Sequence, residues 1–122
     1  MGGAFAVTSR QPEYFRGIAL FNEGRFFDAH EVLEDVWRGA SHPEKRIWQG
    51  LVQVAVAFHH YSTGNRVGMR SVLVRAMKNL GEHPRNFHGI HLAQLLQSLR
   101  QWLEAFDNNQ PLPHLPRIDV SG

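Results

Sequence analysis

Along most of this chain the apolar residues recur at the three- and four-residue spacing of amphipathic helices, broken at a few glycines and prolines. Tyr14, Phe15, Ile18 and Phe21 carry that spacing first, with Leu20 on the flank. Pro12 and Glu13 suit the first turn of this helix and Gly24 its end. A second helix is predicted over Phe26 to Arg38, with Phe26, Ala29, Leu33 and Val36 on its apolar face and Gly39 as its stop. So short a link between the two implies an antiparallel hairpin.

The third predicted helix, Pro43 to Tyr61, is apolar nearly all round, from Trp48 and Leu51 through Phe58, which places it at the centre of the fold. Ser41 and Glu44 ahead of it have the spacing of a capping box; alternatively His42 caps and Pro43 begins the helix. Gly64 reads as its stop. A fourth helix follows over Arg66 to Leu80, capped by Asn65, and Gly81 and Pro84 mark a break. A fifth runs from Gly89 to Asp107, with Ile90, Leu95, Leu99, Trp102 and Phe106 in its stripe. Residues 1–10 read as loosely held. Residues 111–122, with prolines at 111, 113 and 116, read as an extended strap that lays Leu112, Leu115 and Ile118 along the bundle rather than forming a strand. The expected fold is all-α: one domain over 1–122, a bundle of five helices with a Pro-rich extended tail.

Composition narrows the function classes. At 122 residues, 43% apolar and 20% charged, the chain buries a core without cross-links. With no cysteine, disulfides, thiolate nucleophiles and Cys-ligated metals are excluded. Thirteen basic against eleven acidic residues leave a net charge of +2, too small an excess to indicate a nucleic-acid partner. No apolar run approaches the roughly 18 residues that a membrane span needs, and the start lacks a leader pattern, so a soluble cytoplasmic protein is expected. Arg66, Arg70, Lys78 and Arg85 form either a solvated face or a site for an anionic partner. The all-round apolarity of the third helix admits a homodimer.

The candidate chemistry lies in the second helix, where Phe27, His30, Glu34 and Trp37 fall on one stripe. That stripe is expected to face other helices, with its polar groups partnered. His30 and Glu34 stand one turn apart, the spacing at which two side chains hold one ion. Two ligands do not hold a metal, so His60 is the expected third, with Gln53 or Glu31 orienting the set. Gln49, Gln53, Val56 and His60 share a face of the third helix; His59 points about 100° away and is the weaker candidate. Such a site suits zinc, manganese or iron, and a metal-activated water would make hydrolysis the reaction class. Two readings compete: a metal-free acid–base pair, or a structural network in which His30 and Glu34 fix helix register. Trp37 packs against a neighbour, or stacks on a substrate whose identity these residues do not specify.

The stretch Phe21 to Trp37 resembles the all-helical bacterial and archaeal family known as domain of unknown function 309. Its hallmark is a histidine, three residues, an acid, two residues, then tryptophan or tyrosine, met here by His30, Glu34 and Trp37. The segment Gln49-Gly50-Leu51-Val52-Gln53 and the spacing from His60 to Gly64-Asn65 are also similar, so the resemblance covers roughly residues 14–80. It implies a helical bundle and a metal on His30 and Glu34, and it implies no particular reaction.

Overall fold

The computed structural model describes residues 12–81 and 86–121. Five helices, α1 (Glu13–Asn22), α2 (Phe26–Gly39), α3 (Glu44–Ser62), α4 (Arg66–Leu80) and α5 (Leu92–Asp107), build an all-α bundle, with two short strands, β1 (Asn86–Phe87) and β2 (Ile90–His91), ahead of α5. The expected looseness of residues 1–10, the break at Pro84 and the position of Arg85 lie outside the described residues.

The helix ends follow from local chemistry. Gly24 and Gly64 sit at φ +83° and +84°, and the amide one residue on reaches back five positions, Arg25 N–H to Leu20 C=O at 2.9 Å and Asn65 N–H to His60 C=O at 2.8 Å. Asn109, φ +57°, closes α5 in the same way. Asn65 caps α4 as its position predicts, its side-chain oxygen accepting from Gly68 N–H at 2.8 Å. The capping box ahead of α3 does not form: Pro43 is the flanking residue and no side chain caps the helix. Glu44 instead accepts a hydrogen bond from His88 Nε2 at 2.9 Å, so its carboxylate ties α3 to the turn between β1 and β2.

Two glycines set how closely the hairpin partners approach. A β-carbon on Gly17 of α1 would lie 2.9 Å from Leu33 of α2, and one on Gly50 of α3 would lie 2.8 Å from Leu80 of α4. Helix α3 is the centre, as its apolarity predicts: Ile47, Trp48, Leu51, Val54, Ala55, Ala57 and Phe58 are all buried within the chain. The Phe58 ring meets Phe21 of α1, Phe26 of α2 and Trp102 of α5.

The fifth helix begins later than its pattern suggests. Phe87 and Ile90 pair across a two-residue turn in which His88 and Gly89 both have positive φ, 51° and 82°. That is the backbone of a tight hairpin whose twist matches its strands. The tail runs extended with Pro116 and Ile118 buried, but Leu115 is exposed. Asn22 holds it by both amide groups, donating to Ile118 C=O at 2.9 Å and accepting from Ile118 N–H at 2.8 Å. Val120 then bridges Ile90, so the strap ends in one strand-like contact that the proline pattern hides.

Arg70 of α4 grips Asp107 at the end of α5 with two bonds, 2.8 and 2.9 Å. This hydrogen bonding holds the Asp107 carboxyl below the usual carboxylate range. A depressed folded-state value means the contribution is present above the unfolded pKa, roughly pH 4, and is lost as pH falls through the folded value. Asp107→Asn is therefore expected to flatten the acid limb of a Tm-against-pH curve below that point. An unchanged slope would show that the pair adds nothing to the joint between α4 and α5.

Candidate functional site

The side chains that bury α2 are Phe26, Ala29, Val32 and Leu33. On a helix the stripe of Phe27, His30, Glu34 and Trp37 lies about 100° round from these. The stripe therefore runs along the edge of the bundle instead of facing inward as expected: Phe27 is 49% exposed, and His30, Glu34 and Trp37 are half-buried. Periodicity placed these four on one face correctly, but a helix with apolar residues on both sides of that face does not announce which way it turns.

Each polar group of the motif has a partner close at hand. His30 Nδ1–H donates to the Phe27 carbonyl of its own helix at 3.1 Å, which leaves Nε2 with its lone pair. Glu34 accepts from Arg38 Nη2 at 3.0 Å in a surface ion pair, and Arg38 also holds Asp35 at 2.9 Å. Glu31 is exposed.

Gln53 and His60 of the polar stripe of α3 turn toward α4 and its cap, away from His30 and Glu34. The Asn79 amide donates to Gln53 Oε1 at 2.7 Å, and the amide of Asn65 donates to His60 Nδ1 at 3.3 Å. Asn65 Oδ1 already accepts from Gly68 N–H, so the donor at His60 is the –NH2 group and the Nδ1 lone pair is used. Neutral His60 then carries its proton on Nε2 and offers no lone pair to an ion. The α3 histidine on the motif's side is His59: its ring centroid lies 5.4 Å from Phe27, and Phe27 lies 5.3 Å from His30. The structure thus brings together His30, Phe27 and His59, and it sets His60 and Gln53 against α4. Among the described residues no three His, Cys, Asp or Glu side chains converge closely enough to hold a metal ion.

Residues 14–72 match the model of the family described as Domain of unknown function (DUF309). That segment, from α1 into α4, is a DUF309 domain. Among curated relatives, an uncharacterized protein of Aquifex aeolicus (strain VF5) is 33% identical over 92 residues, which are 75% of this chain and 28% of that protein. Uncharacterized protein YpuF of Bacillus subtilis (strain 168) is 30% identical over 86 residues, 65% of this chain and 49% of its own length. This chain therefore spans half or less of the relatives it matches.

Trp37, the third member of the DUF309 motif, faces a different environment from the other two. Lys45 places its ammonium 4.8 Å from the Trp37 ring centroid and donates to the Trp37 carbonyl at 3.2 Å. It thereby caps the C-terminal end of α2, where a cation suits the unsatisfied carbonyls. Next to it a cleft of about 370 Å³ opens, lined by Trp37, His42, Lys45, Arg46, Gln49 and Asn79. Of these the sequence singled out Trp37 and Gln49. Lys45 and Arg46 stand one turn before Gln49 on α3, but Trp37 comes from α2 and Asn79 from the far end of α4, and no spacing within one helix connects these to them. Outside the DUF309 domain, no described helix is long and apolar enough to cross a membrane, nor is any within it.

Proposed function

We propose that this DUF309 domain is a non-enzymatic helical interaction module in which the His30–Glu34 pair is structural. The observation that carries the reading is the partnering of the motif: Glu34 is held by Arg38, His30 by the Phe27 carbonyl, Gln53 by Asn79 and His60 by Asn65. These bonds stay within one helix or within one hairpin, as expected of groups that set local geometry. The longer chains of both relatives support a module that works beside other segments, and a second copy of this chain is one partner that the reading admits.

A metal reading retains one specific support: with Nδ1 bonded to the Phe27 carbonyl, the neutral ring of half-buried His30 has Nε2 to offer an ion, one helical turn from Glu34. Elemental mass spectrometry on protein purified without a histidine tag or chelator separates the two. Under the interaction reading the protein carries no stoichiometric ion, and Glu34→Gln, which removes an exposed intrahelical pair, costs less than about 1 kcal/mol. Near-stoichiometric zinc, manganese or iron that disappears in His30→Ala would overturn it and make metal-assisted hydrolysis the leading class.

A further inference from the structure

The cleft beside Trp37 joins an aromatic wall to cations that are held in place. Among the described residues its lining supplies an indole, an ammonium, a guanidinium, an imidazole and two carboxamides, and no carboxylate. Arg46 is anchored there: its Nε donates to Asn79 Oδ1 at 3.1 Å, and Asn79 is itself fixed by donating to Gln53. One edge of the guanidinium is thus spent on positioning. The terminal N–H fork, which fits an oxyanion with two parallel bonds, has no partner among the described residues. Lys45 is likewise held in place by the Trp37 and Arg38 carbonyls at 3.2 and 3.5 Å, so its charge is fixed at the cleft wall. Both cations are in place before any ligand arrives, which lowers the ordering cost of binding.

We propose that this cleft binds a phosphate ester of a planar ring, of mononucleotide size. The phosphate lies on the Arg46 fork with Lys45 and His42 beside it, and the ring lies against Trp37. Three features select this class. The cleft's volume falls in the range of small-ligand sites. The cationic set, with no carboxylate among the described lining residues, favours an anion. The indole supplies a flat apolar wall, and stacking on such a wall is tolerant of which ring is presented. The inference is independent of the role of His30 and Glu34, since neither lines the cleft.

The test is a titration of the full chain at low salt, followed by the Trp37 indole N–H and by backbone amide NMR shifts. The probes are AMP, adenosine and inorganic phosphate. Trp48 and Trp102 are buried at 4% and 1% exposure, so Trp37 is the indole open to a ligand. Saturable shifts of Trp37 and of residues 42–49 with AMP, and weaker binding of both fragments, are the expected result. Arg46 is exposed, so Arg46→Ala is expected to leave the fold intact while weakening AMP by roughly tenfold or more. Inorganic phosphate binding as tightly as AMP would overturn the planar part of the proposal. Absence of saturable shifts up to millimolar AMP, or equal affinity in Arg46→Ala, would overturn the site.

Discussion

Replacing Phe58 by alanine is expected to remove about 3–5 kcal/mol of stability, the range for truncating a large buried aromatic side chain. Phe58 is wholly buried, and its centroid stands 6.1 Å from Phe21, 6.0 Å from Phe26 and 5.1 Å from Trp102. Two of these contacts, with Phe21 and Trp102, are near-perpendicular at 84° and 85°, the geometry that adds to area burial alone. Because the three neighbours come from α1, α2 and α5, no single helix can shift to fill the void without opening another contact. Since domains of this kind are stable by roughly 5–15 kcal/mol, the variant is expected to be folded but marginal. Its Tm should fall by roughly 10–20 °C. Denaturant and thermal melts check this, and a loss below about 1.5 kcal/mol, the level of a well-tolerated core swap, would mean that α3 is not the pivot described.

The second large effect is expected at Gly50. A β-carbon there would stand 2.8 Å from Leu80 Cγ and Cδ2 and 3.2 Å from Asn79 Cβ. Leu80 is fully buried, so its side chain cannot swing aside into solvent. Gly50→Val adds two methyl groups beyond that β-carbon and must force α3 and α4 apart. Overpacking of this kind costs about 1–3 kcal/mol, and here it should fall at the upper end. The better helix propensity of a residue with a side chain offsets only part of it, a few tenths of a kcal/mol for valine. Separating the helices would also stretch the bond from Asn79 to Gln53. Gly39→Ala is the control: nothing lies within 4 Å of its would-be β-carbon, so the change should be neutral or slightly stabilising. Similar melts for the two variants would show that the approach at Gly50 is looser than the geometry implies.

Gly50 marks a limit of what periodicity conveys: it lies inside an unbroken helical pattern, where no spacing rule tells that a glycine is needed for two helices to touch. Gly24 and Gly64 were legible because the helical pattern stops on either side of them. The five helices were legible for the same reason, and Asn65 as a cap follows from its place before Arg66. The second half of the hairpin, Gly89 to His91, reads as the start of the helix after it, since two strand residues on each side are too few to display an alternation. Its signal was His88-Gly89 between two large apolar residues.

The candidate site was legible in content and not in orientation. The stripe of four residues on α2 is real, yet α3 is apolar round most of its surface, so periodicity leaves its rotation open by about one residue, or 100°. That one step decides whether His59 or His60 meets the motif, and whether Gln53 faces α2 or α4. The cleft at Trp37 was beyond reach for a further reason. Its aromatic wall comes from α2, its lysine and arginine from α3 and its anchoring Asn79 from α4, and these become neighbours only when the helices pack.

The double amide clamp of Asn22 on Ile118 joins positions 96 residues apart. Closing a loop of that length is entropically the most demanding step the chain faces, whereas the two helical hairpins close over short links. Order of assembly follows: the hairpins can form early and independently, and the tail can seat only once α1 and the β turn are already in place to receive it. The last turn of chain to seat is thus also the one that closes the core over Ile118, 1% exposed, and ties it to the hairpin through Val120 and Ile90.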